Sequence, residues 1–268
     1  MRRGRARAGA ALGSVALAAA SLALAAPTAC GGTAPEVARG SVRILAVRPH
    51  DPAAYTQGLL WHAGRLYESV GHYGRSALRE VDPESGRVER EVKLPAEEFG
   101  EGLALAGGRL FQLTWKEQIA RVWRLDDFAP AGALRFEGEG WGLAFDGRRL
   151  VQSDGTSTLT YRSPDDFRVL GTVRVLREGL PVHYLNELEW VEGALYANVW
   201  MSDEIVRIDP ASGEVNAVFD AAGLLDPETQ AEAEALNGIA WNPERRVFYL
   251  TGKLWPRLFE VELIEPER

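Results

Sequence analysis

One block recurs five times along the chain after residue 40, which points to a repeat architecture. In each copy a small residue, usually Gly, precedes Leu or Ile, and another apolar residue follows three places in. A turn and an aromatic-rich second run come next. The copies begin at Gly58, Gly102, Gly142, Glu187 and Gly238, within QGLLWHAGRLYES, EGLALAGGRLFQLTW, WGLAFDGRRLVQS, NELEWVEGALYANVW and NGIAWNPERRVFYLTG, at spacings of 44, 40, 45 and 51 residues. Short apolar runs between turns at this period are what propeller blades require.

Each copy reads as a β-hairpin, turning at Gly64, Gly108, Arg148, Gly193 and Glu244. Folding about those turns pairs the residue before each copy's first position with the residue thirteen after that position. The first set is Gln57, Glu101, Trp141, Asn186 and Asn237, and the second is Gly71, Trp115, Gly155, Trp200 and Thr251. If the hairpins stand radially about an axis, these residues ring one mouth of a central channel. One carboxylate, three amides and three tryptophans there make a pocket, not a core.

A third strand follows each block, at 78–82, 122–126, 158–162, 205–209 and 258–262. Turns at Asp82–Gly86 and Asp209–Gly213 lead into fourth strands at 88–94 and 215–219. Four strands per repeat make a blade, so the expectation is an all-β, five-bladed β-propeller over residues 41–264. The last copy lacks a fourth strand, and the unpaired strand at Val42–Val47 is expected to supply it and close the ring. The longest interval contains Asp226-Pro227-Glu228 and a run of helix formers to Leu236, which predicts a short inserted helix before the last blade. It leads directly into Asn237, so it reads as a rim to the pocket or as an ordinary surface insertion.

The N-terminus is of another kind. Arg2, Arg3, Arg5 and Arg7 precede an Ala/Leu-rich run from Ala8 to Ala26, and small residues surround Cys30. This describes a secretory signal over 1–29, followed by a tether over 30–40, with a membrane anchor as the alternative. Thr28-Ala29-Cys30-Gly31 resembles a bacterial lipobox, although Pro27 occupies a position usually held by Leu. Cys30 is therefore the expected lipid-attachment residue, with cleavage at a nearby Ala as the alternative; either places the mature protein outside the cytoplasm, secreted, periplasmic or membrane-anchored. Cys30 is the single cysteine, so no intrachain disulfide can form. Residues 1–29 hold four arginines and no acid, so without them the net charge moves from −8 to −12. No basic patch offers itself to nucleic acid, and a negative surface favours a ligand with a free amino group.

Register sorts the chemistry-bearing residues. Trp61, Trp190 and Trp241 sit three places into their copies, at positions that call for packing between blades; Trp123 also reads as packing, and Trp255 is undecided. Trp115, Trp141 and Trp200 fall on the ring, where no packing rule demands a large aromatic in only some copies. Glu101, flanked by Phe99 and two glycines with Trp115 expected opposite it, reads as a desolvated carboxyl suited to proton transfer near neutral pH. Lys253 lies beside the ring at a strand end. The four histidines, His50, His62, His72 and His183, show no metal-ligand spacing, and no nucleophile elbow, P-loop or dinucleotide fingerprint is present. No metal and no cofactor are expected.

The runs His50–Leu59, Phe99–Gly102, Leu113–Lys116, Gly140–Leu143, Ser153–Gly155, Leu185–Glu189 and Leu236–Ala240 closely resemble the plant-type and bacterial glutaminyl-peptide cyclotransferases, or glutaminyl cyclases, over about residues 41–264. The resemblance implies a five-bladed propeller that converts N-terminal glutamine to pyroglutamate with release of ammonia, without the catalytic zinc of the animal enzymes. It carries pocket residues over to Gln57, Phe99, Glu101, Trp115, Trp141, Asn186, Trp200 and Lys253; Tyr55 occupies a position usually held by Phe. On that basis Glu101, Lys253 and Asn186 are the catalytic candidates. Tyr55, Gln57, Phe99, Trp115, Trp141 and Trp200 would bind substrate. The expected partners are peptides or proteins with N-terminal Gln, and the expected state is a monomer. Two rivals stand beside this reading: a Ca²⁺-dependent propeller hydrolase or lactonase using Glu101, Asn186 and Asn237 as ligands, and a non-catalytic binding propeller.

Overall fold

The structure, a computed structural model, describes residues 37–266. The signal segment, Cys30 and the first part of the tether lie outside the described residues. The chain begins with β1 (Ala38–Pro49). The first repeat copy and its followers form β2 (Thr56–His62), β3 (Arg65–Val70), β4 (Ala77–Val81) and β5 (Val88–Lys93), an antiparallel sheet in chain order. The second copy gives β6 (Gly100–Ala106), β7 (Arg109–Thr114), β8 (Ile119–Arg124) and β9 (Pro130–Arg135) in the same arrangement. The third gives β10 (Leu143–Phe145), β11 (Leu150–Gln152), β12 (Thr158–Arg162) and β13 (Val169–Arg174). A small hairpin, β14 (Leu176–Arg177) and β15 (Leu180–Pro181), follows.

The fourth copy forms β16 (Leu185–Val191), β17 (Ala194–Val199), β18 (Glu204–Ile208) and β19 (Val215–Asp220). The fifth forms β20 (Leu236–Asn242), β21 (Val247–Gly252) and β22 (Arg257–Ile264). Strand β1 joins these two sets into one eight-stranded sheet, ordered β16-β17-β18-β19-β1-β22-β21-β20. It runs antiparallel to β22 from Ser41 opposite Ile264 to Pro49 opposite Arg257. It starts earlier than the sequence indicates, so residues 38–40, expected in the tether, are strand. There Ala38–Ser41 lie parallel to Ala217–Asp220 of β19, which fills the backbone donors and acceptors of an otherwise open edge.

The innermost strands β2, β6, β10, β16 and β20 lie each against the next, and β20 lies against β2. This crowding explains the small residue that opens each copy. A Cβ on Gly58 would sit 2.6 Å from the Leu103 nitrogen, and one on Gly142 only 2.0 Å from the Asn186 carbonyl oxygen. Glu187 is the exception at this position. Its fully buried carboxylate accepts the backbone N–H of Leu59 at 3.3 Å and of Ile239 at 2.8 Å, tying three inner strands together.

Apolar clusters fill the spaces between sheets. Leu60, Tyr67 and Leu78 pack with Leu103, Leu110 and Trp123 of the next sheet, and Leu59 and Leu66 pack with Ala240, Tyr249 and Leu258 across the closure. Each fully buried Leu contributes roughly 1.5–3 kcal/mol. Trp61, Trp190 and Trp241, expected as core, are only half-buried at the margins of these clusters. Trp61 stacks on Tyr249 with ring centroids 5.2 Å apart, and its indole N–H reaches Glu244.

The insertion before the fifth copy holds one helical turn, α1 (Pro227–Gln230), capped by Asp226, whose carboxylate accepts the Thr229 N–H at 2.9 Å. The helix formers after Gln230 do not continue it, because the chain is drawn into pairing with the strand end that follows β21: the Glu234 N–H donates to the Lys253 carbonyl and the Lys253 N–H to the Ala235 carbonyl.

Candidate active site

The inner strands do not pair as simple hairpins at the mouth. A β-bulge interrupts the ladder between Thr56 and Gly58, between Gly100 and Leu103, between Leu185 and Leu188, and between Leu236 and Ile239. A bulge re-aims the side chain it displaces, and the displaced residues include Gln57, Glu101, Asn186 and Asn237. The pairing expected from the turns is thereby corrected. Trp115 lies opposite Phe99, its N–H donating to the Phe99 carbonyl at 2.9 Å, and not opposite Glu101; Trp200 likewise pairs with Tyr184 at 2.8 Å. In the fifth copy four turn residues separate the strands where the first has two, so Lys253, not Thr251, occupies the position equivalent to Trp115 and Trp200. Thr251 is buried, with its hydroxyl on the Arg257 carbonyl.

A cavity of about 230 Å³ opens at this mouth. Tyr55, Gln57, Phe99, Glu101, Trp115, Trp141, Asn186, Trp200 and Lys253 all line it, together with His72, which the sequence reading had not singled out. Two glycines of the ring make room for the aromatics: a Cβ on Gly71 would lie 2.3 Å from the Phe99 ring, and one on Gly155 2.7 Å from Trp141. The rings form two pairs, with Trp141 edge-on to Trp200 at 5.6 Å and Phe99 edge-on to Trp115 at 5.7 Å. Glu139, also not singled out, joins the pairs, because its Oε2 accepts the indole N–H of both Trp115 and Trp141.

The polar groups are few and held in place. Asn237 does not line the cavity. It is fully buried and donates to the Thr56 carbonyl at 3.0 Å and to Gln57 Oε1 at 3.2 Å, which turns the Gln57 amide nitrogen toward Glu101 Oε1 at 3.0 Å. Burial pushes the Glu101 carboxyl well above the usual carboxylate range; Lys253 opposes the shift, while Glu139 and Glu117 add to it. Burial also pulls the Lys253 ammonium down, against the pull of Glu101 and Glu234. Among the described residues the two form no ion pair, and Lys253 Nζ lies 4.9 Å from the centre of the Tyr55 ring. Among the described residues the buried Oδ1 of Asn186 has no hydrogen-bond partner, an unmet acceptor beside the cavity.

Of the three Ca²⁺ ligands in the rival reading, Asn237 lies outside the cavity lining, with its amide nitrogen on Thr56 and Gln57. Among the described residues no cluster of three His, Cys, Asp or Glu side chains could hold a metal ion. The undecided Trp255 is buried and donates to the Glu234 carbonyl, and Trp123, read as packing, is buried with its indole N–H on Gln112.

An all-β, propeller-like protein with a buried carboxyl in an aromatic pocket at one mouth of its ring of inner strands is the class that this fold and site define. The family model described as glutamine cyclotransferase matches residues 14–263, and the chain belongs to that family. It is 41% identical over 229 residues to a glutaminyl-peptide cyclotransferase of Arabidopsis thaliana, a match covering 83% of this chain and 71% of the relative. The crystal structure of Myxococcus xanthus glutaminyl cyclase is similar at a TM-score of 0.79 and 41% identity, over 87% of this chain and all of that one.

Proposed function

We propose that the protein is a glutaminyl-peptide cyclotransferase that closes the N-terminal glutamine of peptides to pyroglutamate and releases ammonia. The observation that carries the reading to this chain's own chemistry is a buried carboxyl, Glu101, held by Gln57 inside an aromatic-lined cavity of about 230 Å³. In the reaction the neutral α-amine attacks its own side-chain carbonyl carbon. A C–N bond forms, the carbonyl oxygen takes up negative charge, and the bond to the side-chain nitrogen breaks as that nitrogen gains a proton.

Confinement supplies much of the rate, since the reacting atoms must be held about 3–3.5 Å apart in a chain that otherwise rotates freely. Trp115, Trp141 and Trp200 confine it. Glu101 takes the proton from the attacking amine and returns it to the departing nitrogen, and its raised pKa suits both steps near neutral pH. One carboxyl serves both because the two nitrogens are bound in turn to the same carbon. Asn186 Oδ1 accepts from the substrate's amine, which would satisfy its orphaned oxygen, and Lys253 stabilises the developing oxyanion.

The scaffold is read as a five-bladed propeller with β1 closing the last blade and the turn at 227–230 on the rim; the order of the sheets supports this. The Arg-rich head, apolar run and Cys30 support export and lipid attachment at Cys30, which mass spectrometry of the mature N-terminus checks. The activity is tested by incubating the purified protein with a Gln-initiated peptide. Ammonia release with the matching loss of mass is expected, and a folded protein that leaves the peptide intact would overturn the reading.

A further inference from the structure

At about 230 Å³ the cavity is smaller than the roughly 300–1,000 Å³ of sites that enclose drug-sized ligands, so the body of a peptide extends beyond it through the mouth. A second concavity of about 350 Å³ begins there. It shares Trp200 with the cavity and runs between the turn Met201–Asp203 and the segment Gln230–Ala235. Its far wall is hydrogen-bonded to the pocket, through the paired backbones of Glu234, Ala235 and Lys253.

The groove's chemistry is of two kinds. Met201 has a left-handed backbone at φ 68° and is 75% exposed, offering an unbranched, adaptable apolar surface next to Trp200. Asp203 and Glu234 are both exposed; among the described residues Asp203 forms no ion pair, and Glu234 bears also on the Tyr55 hydroxyl and the Lys253 ammonium. Arg39 lies across the adjoining cleft from Asp203 without pairing with it. A net charge of −8 adds to the negative field at this rim.

We propose that this groove is a subsite for the peptide residue that follows the N-terminal glutamine, and that it selects a long basic side chain there. The stem of an arginine or lysine lies along Met201 while its charge meets Asp203 and Glu234, as such side chains do at apolar surfaces with a polar margin. The occupant is the substrate's own chain because the groove adjoins the cavity, Trp200 lining both. This rests on the cyclotransferase reading, and the test separates the two.

Glutamine amide, Gln-Arg-Ala, Gln-Ala-Ala and Gln-Glu-Ala are compared as substrates of the wild type, Asp203→Asn and Asp203→Lys at low and high salt. The expected result is a kcat/KM for Gln-Arg-Ala above that for Gln-Glu-Ala by about two- to fivefold, the scale of an exposed ion pair. High salt should shrink the ratio, Asp203→Asn should halve it or better, and Asp203→Lys should bring it to one or below. Turnover of glutamine amide should be unchanged in both variants. If glutamine amide is turned over while the Arg-to-Glu ratio is near one and indifferent to Asp203, the subsite is wrong and the activity stands. If glutamine amide is not turned over by folded protein, the activity itself fails. Should Asp203→Lys not fold, Asp203→Asn and the salt series decide the same point.

Discussion

Trp115 and Trp141 come from different sheets, yet both donate their indole N–H to one oxygen of Glu139, at 2.8 and 3.0 Å. Lys116 bears on the same carboxylate at 3.9 Å and lies over the Trp115 ring at 3.8 Å. Two walls of the cavity are thus set by an acceptor that does not itself line it.

Glu139→Ala should therefore act on confinement. Each half-buried indole loses its acceptor, at about 1–3 kcal/mol for a fully buried donor and less here. KM for a Gln-initiated peptide should rise about tenfold, with a smaller fall in kcat. Glu139→Gln retains an acceptor oxygen and should restore most of the KM. Equal effects of the two substitutions on KM would show that the charge, and not the hydrogen bonds, matters.

The same carboxylate enters the pH profile with a definite sign. Glu101 must be ionised to accept a proton, so the acid limb of kcat/KM follows its pKa. Burial raises that pKa, the Lys253 ammonium lowers it and the Glu139 charge raises it. Lys253→Met should move the acid limb to higher pH, and Glu139→Gln should move it to lower pH. Movement in the same direction would remove Glu101 as the titrating group.

Turnover should survive exhaustive treatment with a chelator, because the proposed steps use only Glu101, Lys253, Asn186 and the aromatic walls. Loss of activity that returns on adding Ca²⁺ or Zn²⁺ would instead favour a metal-dependent mechanism.

Much of the site was legible because the repeat period carries register from copy to copy: Glu101, Trp141 and Asn186 share one position and line one cavity. What period alone could not reveal were the bulges, since a ladder that gains a residue at its start looks in sequence like one that does not. Hence the period sets Trp115 against Glu101 when it faces Phe99; the longer turn of the fifth copy likewise hides that Lys253 is part of the ring and not beside it. Glu187 had a readable signal, a charged residue where three other copies carry Gly packed against backbone. Glu139 and His72 had none, because both act from loops outside the repeated block. The run from Glu228 to Leu236 has helical composition throughout, and its backbone pairing with Lys253 overrides that propensity after one turn.

A buried ion pair joins His50, just after β1, to Glu68 on β3, which makes a prediction about stability. His50 Nδ1 lies 2.7 Å from the Trp255 carbonyl and Nε2 lies 3.0 Å from Glu68 Oε1, so both ring nitrogens face acceptors, an arrangement that favours the imidazolium. Burial alone would lower the His50 pKa, but Glu68 outweighs it and the net shift is upward; Glu68 is held below its usual range by His50 despite burial. The His50 contribution is full below its unfolded value of about 6.5 and lost as pH rises through its raised pKa; that of Glu68 is full above about 4.5 and lost as pH falls through its depressed one. The pair should stabilise most between those values. His50→Ala leaves a buried carboxylate unpaired, a change that costs about 3–5 kcal/mol, or roughly 6–20 °C of Tm for a chain of this size. Thermal melts across pH 4–9 should show that loss largest near pH 5–6; a loss independent of pH would mean the pair is not ionised.

Glu101→Gln separates chemistry from architecture. The substituted carboxamide has the same shape, and its oxygen can still accept from Gln57 as Glu101 Oε1 does at 3.0 Å. What disappears is the group that takes a proton from the amine and gives it back. General acid–base groups contribute about 10²- to 10⁴-fold, or roughly 3–5 kcal/mol of barrier, and the loss should fall on kcat with KM little changed. Stability should move the other way. A carboxyl whose folded pKa is raised binds its proton more tightly in the folded state, so its presence costs stability progressively as pH rises from about 4.5 through the raised value. Removing it should leave Tm unchanged at acid pH and raise it at alkaline pH. A side chain kept for the fold would show the reverse, a lower Tm with turnover intact. If the variant keeps more than about a tenth of the wild-type kcat, above what loss of a general acid–base group allows, Glu101 is not the proton carrier and the amine must lose its proton to another group.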